Sequence, residues 1–209
     1  MAIDWYFDFI SPFAYLQFEK LHRERPDFQF TPKPVLLAGL LKHWGTVGPA
    51  ELSSKRQFTY RFVLWQARRW NIPMRFPPAH PFNPLAALRL AVAADASVDA
   101  VAAIFRHIWR DGHAGDSAAA LADVAVTLGI RAADEAVAAP EVKAALAANG
   151  EAAIAAGVFG VPTFVVDGRL FWGVDATDML FDYRSDPHGF DDEAMRAIAQ
   201  LPIGVERPR

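Results

Sequence analysis

The alternation of apolar and polar residues at the start of the chain predicts a β-strand. Ile3, Trp5, Phe7 and Phe9 occupy every second position of residues 3–9, which is the period of a strand with one buried face. The next residues predict a helix, because Ser11 is suited to cap it and Pro12 is tolerated at its first position.

A second strand is predicted within residues 28–35, FQFTPKPV, where two prolines shorten it. The chain from residue 3 to residue 35 therefore reads as a β-α-β unit.

The middle of the chain has helical periodicity. The bulky residues within positions 50–72 recur at spacings of three and four and form one helical face: Phe58, Phe62, Trp65 and Arg69. Residues 77–84, PPAHPFNP, predict an extended break. The alanine-rich segment from residue 85 to about residue 157, divided by glycines and a proline, predicts several helices and no strand.

Strands return late in the chain. Residues 163–167 and 169–172 predict a β-hairpin with its turn at Asp167-Gly168. Asp175 or Thr177 is expected to cap the helix that follows, and the tail predicts one more short helix.

The order of these elements predicts an α/β protein with a thioredoxin-like fold and a helical domain inserted in its middle. We expect residues 1–40 and 155–209 to form the discontinuous thioredoxin-like domain, and residues 41–154 to form the inserted helical domain.

Composition narrows the functional classes. The 53% of hydrophobic residues predicts a packed protein, and the net charge of −3 gives no reason to expect nucleic acid or an anionic membrane as a partner. The chain lacks cysteine, which excludes disulfides, thiolate metal sites and redox chemistry by a protein thiol. We find no signal-peptide pattern, and we expect a cytoplasmic protein.

Other catalytic patterns are weak or missing. The six histidines show no HExxH spacing, so no metal site is predicted, and the chain has no phosphate-binding loop. Ser11 lacks the GxSxG context of a hydrolase nucleophile.

Four segments carry a resemblance to a known family. They are DFISPFAYL (8–16), SSKRQFTYR (53–61), HPFNPLAALRL (80–90) and FGVPTFVVDGRLFWGVD (159–175). Together they resemble the kappa-class glutathione transferases, and most of all their bacterial relatives, the 2-hydroxychromene-2-carboxylate isomerases. The resemblance extends over nearly the whole chain in the same order.

The resemblance implies glutathione as cofactor, a small aromatic carboxylate as substrate, and a homodimer. The implied reaction converts 2-hydroxychromene-2-carboxylate to trans-o-hydroxybenzylidenepyruvate, a step in bacterial naphthalene degradation. Two alternatives remain open: a kappa-like transferase or peroxidase that acts on another electrophile, and a non-catalytic glutathione-binding module.

Ser11 is the implied catalytic residue. Disulfide oxidoreductases of this fold begin the first helix with Cys-x-x-Cys, where this chain has Ser11-Pro12-Phe13-Ala14. The helix N-terminus favours a negative charge, and the Ser11 hydroxyl is expected to donate a hydrogen bond to the glutathione thiolate. The alternative is that Ser11 is only a structural N-cap.

The resemblance also implies the other contacts to glutathione. The bond between Val161 and Pro162 would be cis rather than that of an ordinary turn proline, and the backbone of Val161 would pair with the cysteinyl residue like an added strand. Asp175 would bind the α-ammonium group, unless it is only a helix cap. Val174, where the family has a small polar residue, would contribute backbone alone, and Lys55 would meet the glycyl carboxylate.

Several residues are candidates for the substrate pocket. Asn83 and Lys42 would meet its polar groups, and aromatic side chains would form its walls: Phe13, Trp44, Trp65 and Phe82. Aromatic residues at these spacings also suit a protein core.

Overall fold

The computed structural model describes residues 2–198 and 200–205. Its strands are β1 (Ile3–Phe7), β2 (Thr31–Pro34), β3 (Thr163–Val166) and β4 (Arg169–Trp172). Its helices are α1 (Pro12–Glu24), α2 (Leu37–Trp44), α3 (Ser53–Arg69), α4 (Leu85–Ala93), α5 (Val98–Phe105), α6 (Ala122–Thr127), α7 (Ala133–Ala138), α8 (Pro140–Ala155), α9 (Ala176–Ser185) and α10 (Glu193–Ile198). Shorter helical turns span Pro49–Glu51, Arg106–Arg110 and Pro187–Phe190.

The strands form one mixed sheet in the order β2-β1-β3-β4. Strand β1 pairs in parallel with β2 and antiparallel with β3, and β3 pairs antiparallel with β4. The two prolines of β2 are accommodated because this strand lies at the edge of the sheet, where a missing N–H costs no ladder bond on the open side. The predicted β-α-β unit and the predicted hairpin are both confirmed.

The hairpin turn has the backbone that its sequence indicates. Asp167 and Gly168 both have positive φ angles, 50° and 76°. A two-residue turn of this kind follows the twist of the flanking strands and favours an aspartate followed by a glycine.

Aromatic side chains hold the sheet and the helices together. Trp5 stacks on Phe7 with ring centroids 4.5 Å apart. Phe105, at the end of α5, packs against Phe9 at 4.6 Å and contacts Phe7 at 5.6 Å. One hydrophobic core therefore joins strand β1 to the inserted helices. The thioredoxin-like fold with its helical insertion is confirmed, while the domain boundaries stay a prediction.

Helix α3 carries the predicted aromatic periodicity on its outer side. Phe58, Phe62 and Trp65 stack in a row, which we call the aromatic row, and Phe58 and Trp65 are 66% and 53% exposed. The inner side of α3 has the smaller Val63 and Ala67, which are buried and allow close approach to α1. Within the described part of the chain, none of the helices is both long and apolar enough to cross a membrane.

Candidate functional site

Ser11 caps helix α1 and keeps its hydroxyl proton for another partner. Its Oγ accepts a hydrogen bond from the backbone N–H of Ala14 at 3.2 Å, and its own N–H donates to the carbonyl of Asp8 at 3.0 Å. Ser11 is buried, with 6% of its surface exposed. Because the cap uses a lone pair of Oγ, the same hydroxyl can donate to a ligand, so capping and ligand binding are compatible.

Asp8 fixes the loop that leads to Ser11. Its carboxylate is fully buried and accepts hydrogen bonds from the N–H of Ile10 at 3.0 Å and of Leu37 at 2.8 Å. These bonds hold the end of β1 against the start of α2. Burial raises the pKa of Asp8 to about 7, although the backbone hydrogen bonds oppose the shift.

Two cavities meet beside Ser11. The larger has a volume of about 440 Å³ and borders Ser11 itself. The smaller has a volume of about 290 Å³ and lies between α1, α3, the start of β3 and the start of α9. Phe13 and Val161 line both cavities, so the two cavities adjoin.

The larger cavity is mainly apolar, and helix α2, the loop before α3 and the segment before α4 form its walls. Its apolar lining includes Leu36, Leu37, Leu41, Pro49, Phe82 and Leu85. The structure brings the predicted residues Phe13, Phe82 and Asn83 together here with Ser11. Asn83 is exposed, and its Oδ1 accepts from the N–H of Leu85 at 3.1 Å.

The same cavity contains a tyrosine–histidine pair that the sequence analysis missed. The phenol oxygen of Tyr60 lies 2.6 Å from Nδ1 of His80 and 2.8 Å from the His80 carbonyl oxygen. Nε2 of His80 lies 2.8 Å from the carbonyl oxygen of Ile10, the residue before Ser11. Burial lowers the pKa of His80 and raises the pKa of Tyr60, so both are neutral near pH 7.

The smaller cavity gathers four of the predicted glutathione residues: Val161, Pro162, Val174 and Asp175. The Val161–Pro162 peptide bond is cis, as the resemblance implied. Val161 precedes the paired residues of β3, so the sheet does not use its backbone. Among the described residues, no capping hydrogen bond is made by the side chain of Asp175, which leaves its carboxylate available to a ligand.

A buried glutamine supports this cavity from below. Gln17 of α1 accepts from Nε1 of Trp5 at 2.7 Å and donates to the carbonyl of Gly173 at 3.0 Å and to Oγ1 of Thr177 at 2.9 Å. The N–H of Gly173 donates to the carbonyl of Pro162 at 2.8 Å. The predicted capping residue Thr177 is thus a buried partner of Gln17.

Gln66 is a second residue that the sequence analysis missed. Its side chain lines the smaller cavity, and within the described part of the chain its buried Oε1 has no hydrogen-bond partner. Gln66 lies on α3 among the residues of the aromatic row, and the sequence pattern does not distinguish it from a surface residue.

The structure does not bring every predicted residue to these cavities. In the part of the chain that it describes, Lys42, Trp44, Lys55 and Trp65 line neither cavity. The residues of α2 that face the larger cavity are Leu37, Ala38 and Leu41, and Nε1 of Trp44 is bonded instead to the carbonyl of Val158 at 2.9 Å. Lys55 is exposed, one helical turn before the cavity residue Thr59. No cluster of three or more potential metal ligands occurs among the described side chains.

Comparison with known proteins decides the family. A family model described as a DSBA-like thioredoxin domain matches residues 2–183. The chain belongs to this family. It is 30% identical to a 2-hydroxychromene-2-carboxylate isomerase of Pseudomonas putida, over 86% of this chain and 92% of that protein. It is 26% identical to glutathione S-transferase kappa 2 of Caenorhabditis elegans, over 89% of this chain and 92% of that protein.

A solved structure gives the same result for the fold. The structure of a 2-hydroxychromene-2-carboxylate isomerase superposes with a TM-score of 0.76 at 26% identity, covering 97% of this chain and all of that one. The family relationship that the sequence motifs indicated is confirmed. The prediction of an enzyme like these isomerases and kappa-class transferases is confirmed as well.

Proposed function

We propose that the chain is a glutathione-dependent enzyme, with glutathione in the smaller cavity and a conjugated electrophile in the larger one. The observation that supports this most is the position of Ser11. Its hydroxyl proton is donated to none of the described residues, and it lies at the start of α1 beside the two residues that the cavities share. A thiolate that reached Ser11 from the smaller cavity would face the larger one.

The donors and acceptors of the smaller cavity fit glutathione. Asp175 offers a carboxylate without a capping bond to an α-ammonium group, and the backbone of Val161 is free of sheet pairing. The backbone of Val174 and the amide oxygen of Gln66, which has no hydrogen-bond partner among the described residues, would be further contacts. When bound, glutathione would supply a thiolate that adds reversibly to a conjugated double bond and so permits rotation about that bond.

Ser11 would stabilise the thiolate. A hydrogen bond to a charged group contributes about 1.5–3 kcal/mol, which corresponds to a fall of about one to two units in the pKa of the bound thiol. The positive end of the α1 dipole acts in the same direction. Ser11 need not attack the substrate itself.

A more specific proposal concerns the identity of the substrate. We propose cis–trans isomerisation of 2-hydroxychromene-2-carboxylate to trans-o-hydroxybenzylidenepyruvate, because the isomerase relatives align over most of the chain. The larger cavity has the apolar walls that a bicyclic aromatic compound requires. Asn83 would meet polar groups of the substrate. Lys55, one turn before Thr59, would meet the glycyl carboxylate of glutathione at the protein surface.

A second candidate is transfer of glutathione to another electrophile. The kappa transferase relative aligns over a similar share of the chain, and the apolar walls of the larger cavity do not select one aromatic compound.

An ultraviolet assay separates these functions. Isomerisation of the chromene carboxylate only when glutathione is present, without loss of glutathione, supports the isomerase. Consumption of glutathione with 1-chloro-2,4-dinitrobenzene and no isomerisation supports the transferase. If calorimetry shows that glutathione does not bind at all, the proposal is wrong; binding without turnover of either compound indicates a non-catalytic glutathione-binding module.

We also propose a cytoplasmic homodimer. The resemblance implies the dimer, and the exposed Phe58 and Trp65 of the aromatic row are an apolar surface that a second copy would cover.

A further inference from the structure

The phenol of Tyr60 has a fixed hydrogen-bonding direction. Its single proton has two acceptors within reach, Nδ1 of His80 at 2.6 Å and the His80 carbonyl oxygen at 2.8 Å. Both acceptors belong to the same residue. Whichever of the two accepts the proton, it points at His80.

His80 is itself fixed by the loop that carries Ser11. A carbonyl oxygen only accepts hydrogen bonds, so the 2.8 Å contact between Nε2 of His80 and the oxygen of Ile10 places a proton on Nε2. In the neutral ring, Nδ1 is then an acceptor and receives the proton of Tyr60. Trp109 packs against the His80 ring with centroids 5.3 Å apart and helps to hold its orientation.

Because its proton is committed to His80, Tyr60 offers the cavity a lone pair. Tyr60 and His80 both line the larger cavity beside Ser11. Glu51 also lines it, and its carboxyl oxygen accepts from the N–H of Gly48. A molecule in this cavity therefore meets hydrogen-bond acceptors near the start of α1.

We propose that Tyr60 is a specificity-determining residue that selects aromatic electrophiles bearing a hydroxyl group, with His80 as the residue that positions its lone pair. The hydroxyl of the electrophile donates to the phenol oxygen of Tyr60. Since His80 binds the peptide next to Ser11, this bond places the aromatic ring over the start of α1. The inference rests on the proposal that the larger cavity holds the electrophile.

Binding of two matched aromatic compounds tests the inference without glutathione. The probes are 2-naphthol and 2-methoxynaphthalene, which share a ring system but differ in their ability to donate a hydrogen bond. Equilibrium dialysis is performed with the wild-type chain, with Tyr60→Phe, and with Tyr183→Phe as the control. The phenol of Tyr183 bonds to Asp167, a residue of the hairpin turn that lines neither cavity.

We expect wild type and Tyr183→Phe to bind 2-naphthol about five- to tenfold more tightly than 2-methoxynaphthalene. In Tyr60→Phe, whose folding is checked by its melting temperature, the two affinities should become equal. Equal affinities in wild type, a preference that survives in Tyr60→Phe, or failure of both compounds to bind would overturn the inference. Since glutathione is absent, none of these outcomes depends on the thiolate chemistry, which the ultraviolet assay tests separately.

Discussion

Replacing Gln17 with leucine should both destabilise the fold and weaken glutathione binding. The substitution keeps the size of the side chain but removes its bonds to Trp5, Gly173 and Thr177, at 2.7, 3.0 and 2.9 Å. Gln17 is buried, with 1% exposed, so water cannot replace these bonds. At about 1 kcal/mol for each lost bond, and more where a buried group stays unsatisfied, we expect a loss of about 3–5 kcal/mol.

The functional consequence follows from the position of Gly173. Its carbonyl is held by Gln17, its N–H by Pro162, and Asp175 is two residues further on. When this segment loosens, the carboxylate of Asp175 loses its fixed position, and we expect the dissociation constant for glutathione to rise about tenfold.

Urea unfolding followed by circular dichroism measures the stability, and calorimetry at low temperature measures glutathione affinity in the folded variant. Gln29→Leu is the control, because Gln29 is exposed and makes one long bond of 3.5 Å to Asp27. That variant should change stability by less than about 0.5 kcal/mol. A loss below about 1 kcal/mol in Gln17→Leu, or unchanged glutathione affinity, would refute the supporting role of Gln17.

Three further predictions concern pH, the glutathione cavity and assembly. The pKa of Asp8 is about 7 in the fold and 3.8 as its ordinary value, so the unfolded chain loses this proton first. As the pH rises from the lower to the higher of these values, the free energy of unfolding should therefore fall by about 4 kcal/mol. Urea titrations of wild type and Asp8→Asn measure this change, and a difference in unfolding free energy between the two proteins that stays constant over the range contradicts the raised pKa. Gly173→Ala should weaken glutathione binding in calorimetry, because its Cβ would lie 2.6 Å from Oδ1 of Asp175. Gly168→Ala is also at positive φ, but its Cβ would have no atom of the described residues within 4 Å, so it should leave glutathione affinity unchanged. Equal losses of affinity in the two variants would argue that backbone strain alone is the cause. Sedimentation at micromolar concentration should show a dimer, and a monomer would count against the proposed assembly.

The local elements could be predicted because their signals are short-range. The alternation of residues 3–9, the Ser11-Pro12 helix start and the Asp167-Gly168 turn each specify a backbone through nearby residues alone. The structure has all three, although strand β1 ends at Phe7, two residues before the alternation does.

The site was only partly predictable, because much of it depends on packing between distant segments. Tyr60 and His80 are twenty residues apart and meet Ile10 only in the folded chain, so neither pattern nor spacing marks them. The aromatic periodicity of α3 was visible, but periodicity alone cannot tell which side of a helix faces the core. That depended on the close approach of α3 to α1 beside Val63 and Ala67.

The central claim is that the Ser11 hydroxyl stabilises a glutathione thiolate. The direct test is thiolate absorbance near 240 nm for bound glutathione across a pH series, comparing wild type with Ser11→Ala. As a cap alone, Ser11 should contribute about 0.5–2 kcal/mol to stability and nothing to the pKa of the bound thiol. We predict that the thiol pKa in wild type lies below its ordinary value of about 8.5 and rises by about one to two units in Ser11→Ala. Superimposable titrations of the two proteins would contradict the claim, whatever the change in melting temperature.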